Sequence, residues 1–149
     1  MNFYGVGVQF GGAGKEPIDM FDYFRENTCW FMGFDTGVKP DLDRIINDIP
    51  IGSIIVAKSY ATYKMQNYYI RGLGIVTGKE LPDKVKRTYP NKNGVTVIWF
   101  KYFPKEISLL SKDYKRGTFH TSTIFCENNK ETMIPKIKEI MNFDYKGEA

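Results

Sequence analysis

Two apolar segments joined by a polar loop place the tightest limit on how this chain folds. Residues 50–60 begin with a Pro-Ile-Gly turn and continue as a β-branched run, and residues 69–78 form a second run that contains Gly72 and Gly74. Apolar β-branched runs bounded by turn residues are typical of strands, and glycines inside a strand mark a bend or a close backbone approach. Two bent strands of this kind predict a small, curved β-barrel and not a flat sheet.

The rest of the chain predicts an α+β domain. A first strand is expected over residues 3–10, and a buried segment over residues 30–34. Further strands are expected over residues 94–102 and 118–125. Asp19 and Asp41 are placed to begin short helices, and residues 130–141 have the apolar spacing of an amphipathic helix. We therefore expect one domain over residues 1–143, followed by a polar tail or linker over residues 144–149.

Several function classes are excluded by what the sequence lacks. No apolar run is long enough to span a bilayer, and the first residues lack the basic and apolar regions of a signal peptide, so a cytoplasmic protein without a membrane partner is expected. Cys29 and Cys126 are expected to be reduced, buried thiols. With one histidine and two cysteines, we expect neither a metal site nor a cofactor. No nucleophile elbow or catalytic triad is visible, so an enzyme is not expected.

Positive charge is concentrated in the second half of the chain. The first 78 residues carry 7 Lys and Arg against 8 Asp and Glu, whereas the remainder carries 14 against 9. Residues 79–92 hold five cations and two prolines, which predicts a long exposed loop. Lys84, Lys86 and Arg87 are its candidate contacts to nucleic-acid phosphates. A loop that only keeps the domain in solution is an equally good interpretation.

Four motifs in sequential order resemble the PUA-like superfamily, and most closely its EVE/YTH-type domains. These include the domains found with McrBC-type modification-dependent restriction systems. The motifs are Trp-Phe-Met-Gly-Phe at 30–34, Ile-Gly-Ser-Ile-Ile-Val-Ala-Lys-Ser-Tyr at 51–60, Ile-Arg-Gly-Leu-Gly-Ile-Val at 70–76 and Val-Thr-Val-Ile-Trp at 95–99. The resemblance covers residues 3–125. The chain differs at Ser53, where the family usually has Asp, at Gly72, often Ala, and in the length of residues 79–92.

The resemblance implies a curved or closed mixed β-barrel with flanking helices and a pocket that accepts a flipped or single-stranded, modified base. DNA is expected more than RNA, in restriction or phage defence, and an NTPase or nuclease is the implied partner or fusion. An extruded base needs aromatic walls for stacking and polar groups for its edge. The candidate walls are Phe10, Trp30, Tyr60, Tyr63 and Trp99; the candidate edge readers are Gln9, Ser59 and Thr121; the candidate phosphate contacts at the rim are Lys58 and Arg71.

Most of these residues also have a structural explanation. Trp30 and Trp99 are suited to core packing, Lys58 to a surface lysine at a strand end, and Arg71 to a surface ion pair. Two further functions remain open: a sensor that binds a small nucleotide-like molecule in the same pocket, and an enzyme or protein-interaction module of unrecognised type. Salt dependence separates a nucleic-acid reader from a sensor, because only a strand releases many counterions.

Overall fold

A six-stranded mixed sheet, curled into a half-barrel, is the centre of the fold. The computed structural model describes residues 2–11, 18–60, 68–103, 123–127, 130–131 and 133–142. Its elements, in chain order, are β1 (Phe3–Gly7), β2 (Gln9–Phe10), β3 (Ile18–Asp19), α1 (Phe21–Glu26), β4 (Cys29–Asp35), α2 (Pro40–Asn47), β5 (Ile54–Tyr60), β6 (Tyr68–Gly78), α3 (Asp83–Thr88), β7 (Lys92–Tyr102), β8 (Ile124–Glu127) and α4 (Met133–Asn142).

The strands lie in the order β4-β7-β6-β5-β1-β8. β1 and β5 are parallel, and the other neighbours are antiparallel. The three segments expected to share one curved sheet, residues 54–58, 69–76 and 95–99, fall in the adjacent strands β5, β6 and β7, which confirms that prediction. Within the described residues the sheet ends at β4 and β8, so it is a half-barrel and not a closed one. β2 and β3 form a separate two-stranded ribbon.

Bulges and glycines explain the curl. The register shifts between Ala57 and Lys58 in the β5–β6 pair and twice in the β6–β7 pair. A bulge adds one residue to one strand, which bends that strand and increases its twist. At Gly74 an ideal Cβ atom would lie 2.4 Å from a Val97 methyl carbon, so a side chain there would clash with β7. The close approach expected from the sequence is therefore present.

The sheet buries side chains on both faces, and alternation along β5 decides which residue goes where. Ile55 and Ala57 join the larger cluster, which contains side chains from α1, α2 and α3, whereas Ile54 and Val56 join the smaller cluster beneath α4. Successive strand residues point to opposite faces, so this split follows from the two-residue period. Helices therefore flank the sheet on both sides.

The structure corrects the prediction for residues 79–92. This segment is not a loop throughout, because α3 occupies its centre. Leu81 and Val85 are buried, and Tyr89 packs against the larger cluster. Val85 lies within α3, Leu81 precedes the helix and Tyr89 follows it, so three apolar side chains anchor the charged segment to the core.

Smaller differences concern the ends of elements. The strand expected over residues 3–10 is divided into β1 and β2, and the C-terminal helix begins at Met133, not at residue 130. The last strand is β8, whose Ile124 and Phe125 fall in the predicted range of 118–125; residues 118–122 lie outside the described part. No helix among the described residues has the length and apolar character needed to cross a membrane.

Candidate functional site

Arg71 is placed by the bulge in β6. Ala57 pairs with Gly72 and Lys58 pairs with Ile70, so Arg71 is the extra residue that has no partner in β5. A bulge of this kind changes the direction of one side chain relative to the regular alternation. It points the Arg71 guanidinium towards α1 and the larger core cluster, since the Arg71 Cζ atom lies 5.3 Å from the centroid of the Phe21 ring.

The Arg71 side chain is only 9% exposed and is held by two oxygen atoms. Its Nη1 atom donates to Asp19 Oδ2 at 2.6 Å and, more weakly, to Ser59 Oγ at 3.5 Å. Asp19 also accepts from the backbone N–H of Phe21 through Oδ1 at 3.0 Å, so one carboxylate fixes both the start of α1 and the guanidinium. A buried cation needs such partners, because its loss of hydration is otherwise costly.

A second guanidinium lies over the same ring. The Cζ atom of Arg25, on α1, is 5.7 Å from the Phe21 centroid and 4.0 Å from the Tyr102 centroid. Arg25 Nη2 donates to Asp22 Oδ1 at 2.9 Å. Cation–π contacts of this kind are attractive within about 6 Å of the ring centroid. Trp99 and Phe21 pack in a T-shaped contact, with 5.1 Å between ring centroids.

We call this group the Phe21 cluster. Its rings are supplied by α1 and β7 and its cations by α1 and β6, with one aspartate beside each cation. Tyr102 is 41% exposed, so the cluster opens to solvent at the end of β7. Its members are Phe21, Arg25, Arg71, Trp99, Tyr102, Asp19 and Asp22.

Two donors of the Phe21 cluster have no acceptor. Among the described residues, the Nε atoms of Arg25 and Arg71 are the buried side-chain polar atoms without a hydrogen-bond partner. Buried polar groups are nearly always paired, and each exception requires an explanation. Here both exceptions belong to arginines over one phenyl ring.

Gly72 is what allows Phe21 to lie so close to the sheet. An ideal Cβ at this position would be 2.6 Å from Phe21 Cζ and 2.5 Å from the Lys101 carbonyl oxygen. The absence of a side chain at Gly72 therefore makes room for the ring.

Ser59 and Lys58, predicted together as neighbours of a ligand, take different positions. Ser59 is buried beside Arg71, on the side of the Phe21 cluster. Lys58 follows the alternation of Ile54 and Val56 to the opposite face of β5. It is buried there and not at an exposed rim, and burial lowers the pKa of its ammonium group to about 7. The rim position expected for Lys58 and Arg71 is wrong for both.

The two tryptophans are largely explained by packing. Trp30 has no exposed surface, and its indole N–H donates to the Gly7 carbonyl at 2.9 Å. It therefore presents no free ring face on which a base can stack. Trp99 is partly buried and donates to the Cys29 carbonyl at 3.1 Å, but its ring belongs to the Phe21 cluster.

The two predicted residues of the β2–β3 ribbon, Gln9 and Phe10, have different neighbours. Phe10 packs against Phe24 and Phe31, with ring centroids 5.9 and 5.6 Å apart, as a core residue does. Gln9 is half-buried and pairs with Asp19, the carboxylate that binds Arg71. Gln9 is thus the predicted edge reader that the structure brings next to the Phe21 cluster, together with Ser59.

The side chains of three predicted site residues lie outside the described part of the structure. The backbone of Tyr60 ends β5 directly after Ser59, but its side chain is outside the described part, as are Tyr63 and Thr121.

The predicted phosphate contacts Lys84, Lys86 and Arg87 lie on α3 and are exposed. Lys86 pairs with Glu80 at 2.9 Å. Tyr89, directly after α3, packs against Tyr23 of α1 at 5.6 Å between ring centroids, so α1 connects the basic helix to the Phe21 cluster.

The cysteines supply no activated nucleophile in the described structure. Both are free; Cys29 is buried, as expected, whereas Cys126 on β8 is exposed, which corrects the prediction. Burial raises the pKa of Cys29 to about 12, which keeps the thiol protonated at neutral pH. In the described part of the chain, no group of three or more His, Cys, Asp or Glu side chains is placed to hold a metal ion.

Sequence reasoning missed Phe21, Arg25 and Tyr102 as site residues. Phe21 and Arg25 are separated by four positions on α1, so they share one face of the helix. That spacing was the available signal, but nothing in the sequence places Tyr102 over the same guanidinium.

The comparisons with known proteins do not assign a family. Models of known protein families give no match to this chain, and the curated protein sequences give none either.

Proposed function

We propose that this protein is a nucleic-acid-binding module that accepts a flipped or single-stranded base beside the Phe21 cluster. The observation that carries the proposal is the meeting of two guanidinium groups with exposed and buried rings at one end of the curled sheet. Single-stranded nucleic acids bind surfaces on which bases stack on aromatic rings and arginine planes while cations meet the backbone. The Phe21 cluster combines these groups.

The polar neighbours suit the edge of a base. Ser59 and Gln9 lie beside Arg71 and Asp19, and hydroxyl and amide groups can both donate and accept hydrogen bonds. Tyr60 follows Ser59 at the end of β5. The site therefore uses several residues predicted from the sequence, although Trp30 and Phe10 contribute to it only by supporting the core.

The exposed cations of α3 are proposed to meet the phosphates of the same strand. Lys84, Lys86 and Arg87 project from a helix that α1 joins to the Phe21 cluster through the Tyr23–Tyr89 contact. The net charge of +4 favours the approach of an anionic strand to the protein. Phosphate contacts position a strand, and base contacts give specificity.

A modified base, in DNA more than in RNA, is the proposed ligand. Support comes from the ordered motifs that resemble EVE/YTH-type domains of the PUA-like superfamily, and from the curled mixed sheet with helices on both sides. A role in restriction or phage defence, alongside an NTPase or nuclease and without catalysis by this chain, belongs to the same proposal. We place the protein in the cytoplasm on this basis.

A binding screen tests the proposal. Fluorescent single-stranded and duplex oligonucleotides with methylated, hydroxymethylated or unmodified bases are titrated with the protein, and anisotropy is measured at two salt concentrations. We expect single strands with a modified base to bind best, with affinity that falls as salt rises. Failure of every oligonucleotide to bind at low salt would overturn the proposal.

The second candidate function is a sensor for a small nucleotide-like molecule. The near-complete burial of Arg71 favours it, because a small ligand fits an enclosed site more easily than a strand does. Free modified nucleosides and nucleotides are therefore included in the screen. Binding of a free nucleotide as tight as that of the oligonucleotide, with little salt dependence, would select the sensor.

A further inference from the structure

We infer that Arg25 and Arg71 together form a phosphate-binding site, with Phe21 as its floor. This inference rests on the proposed function and adds to it the chemistry of the contact and two residues, Arg25 and Phe21, that were not predicted as site residues from the sequence. The decisive observation is that the Nε donors of both arginines are buried and unpaired.

The geometry of the two guanidinium groups suits an anion with several acceptor oxygens. The Cζ atoms of both lie within 6 Å of the Phe21 centroid, at 5.7 and 5.3 Å, so both cations are held against one ring. Each guanidinium already donates one Nη to an aspartate and retains Nε. Guanidinium groups bind phosphate through pairs of parallel N–H donors, and Nε is one member of such a pair.

The two aspartates differ in how firmly they are held. Asp19 also accepts from the Phe21 backbone N–H, whereas the side chain of Asp22 is 75% exposed and accepts from Arg25. Arg25 itself is 28% exposed. An incoming phosphate therefore displaces Asp22 from Arg25 and enters on the side of Tyr102, while Asp19 continues to hold Arg71.

A matched arginine elsewhere in the chain provides the control. Arg44 on α2 pairs with Asp41 three positions earlier, as Arg25 does with Asp22, but both side chains are well exposed. Arg44→Lys and Asp41→Asn thus make the same chemical changes in an ordinary surface ion pair.

The experiment measures the binding of a fluorescent 12-nucleotide thymine strand by anisotropy. We expect Arg25→Lys to weaken binding about tenfold, because lysine keeps the charge but loses the planar pair of donors. We expect Asp22→Asn to tighten binding several-fold, because the competing carboxylate is removed. Arg44→Lys and Asp41→Asn are expected to leave affinity within about twofold.

Arg71→Lys is expected to weaken binding at least as much as Arg25→Lys, and its thermal melting is recorded because this residue is buried. Arg25 is partly exposed, so Arg25→Lys and Asp22→Asn test the site even if the Arg71 variant fails to fold. Equal affinity of the Arg25 and Asp22 variants and their α2 controls would overturn the inference. Failure of the unmodified protein to bind any oligonucleotide, including the strands with modified bases, would instead overturn the proposed function.

The source of the phosphate is tested with inorganic phosphate. If it raises the melting temperature of the unmodified protein more than that of Arg25→Lys, the site accepts a free phosphate. If it does not, and Arg25→Lys still loses affinity for the thymine strand, the site binds the phosphodiester of a strand. Both results support a phosphate site, and a strand carrying a 5′-phosphate is compared to detect a preference for the end.

Discussion

Two aromatic clusters on the same face of the sheet differ in what lies between their rings. The first surrounds Phe31, and its centroid distances to Phe10, Phe24, Tyr23 and Tyr89 range from 4.9 to 6.2 Å. The second surrounds Phe21 and includes two guanidinium groups. Tilted and edge-to-face packing accounts for every ring of the first cluster. It leaves two polar atoms of the second unexplained.

This difference separates stability from function. A ring packed only against other rings removes apolar surface from water and requires no ligand. Two arginines with unpaired buried donors lie against the other ring. Each such donor lowers the stability of the folded state by about 1–3 kcal/mol. Such a cost is typical of a site where a partner completes the hydrogen bonds. We therefore expect the two clusters to respond differently to substitution.

The largest effect is expected at the Phe31 cluster. Phe31→Ala should lower the free energy of unfolding by about 3–5 kcal/mol, because a fully buried ring is removed and its cavity fills only in part. Urea denaturation followed by circular dichroism measures the loss. Under conditions in which the variant stays folded, its oligonucleotide affinity should match that of the unmodified protein. A selective loss of affinity would break the comparison by giving the Phe31 cluster a role in binding.

Gly72→Ala tests the support of the second cluster. The new methyl group would lie 2.5 Å from the Lys101 carbonyl oxygen and 2.6 Å from Phe21 Cζ, so strand β7 or the ring must move. We expect a loss of about 1–3 kcal/mol in stability, as for other overpacked sites, together with weaker oligonucleotide binding.

Gly78→Ala is the matched control for this substitution. Gly78 lies in the same strand. A Cβ atom added there would lie 3.2 Å from the Thr96 hydroxyl oxygen, its nearest neighbour, so a small shift accommodates the methyl group. Equal effects of the two substitutions on binding would show that Gly72 has no special relation to the Phe21 cluster.

The sequence contains enough information to predict the sheet but not the second cluster. The β-branched runs predict β5, β6 and β7, and Gly72 and Gly74 correctly indicate close approaches. The position of Arg71 depends on the register between β5 and β6, because a bulge exists only relative to a paired strand. The sequence of β6 alone therefore does not show that Arg71 is the bulged residue.

Two other misses have different physical reasons. Helix α3 is not predicted from the sequence because charged residues dominate the segment and its apolar residues, Leu81 and Val85, are too few to show a helical period. Trp30 was a plausible pocket wall because a buried tryptophan and a stacking tryptophan have the same local sequence. The complete burial of its ring and the hydrogen bond from its indole N–H to the Gly7 carbonyl distinguish them.

Tyr102 tests whether the open side of the second cluster takes a base. Tyr102→Ala should weaken binding of a single strand by about 1–3 kcal/mol, the usual value of one base–aromatic stack. Stability should change little, since 41% of the residue is already exposed. Ile98→Ala is the control, because Ile98 is an exposed apolar residue of the same strand without a ring. Equal losses for both would indicate an unspecific apolar contact, and fluorescence anisotropy resolves the difference.

The smallest effect on specificity is expected from α3. Tyr89, directly after this helix, packs in the Phe31 cluster, whereas the cations of α3 are proposed to bind the phosphates of a strand held at the Phe21 cluster. Replacing Lys84, Lys86 and Arg87 by Gln should weaken all oligonucleotides about equally. It should also reduce the slope of log affinity against log salt by up to about 0.7 for each lost single-strand contact. The preference for a modified base should persist, because phosphate contacts do not read bases.

A control with the same change in net charge is available on the other face of the sheet. Lys130, Lys136 and Lys138 lie on or just before α4, which packs on the smaller cluster, and replacing them by Gln removes the same number of cations as the α3 variant. If only the overall charge of the protein attracts nucleic acid, both triple variants should weaken binding equally. A reduced slope for the α3 variant alone would assign the phosphates to the side of the Phe21 cluster. Equal slopes for both variants would instead leave that cluster without an electrostatic path, because long-range attraction by net charge does not distinguish the faces of the sheet.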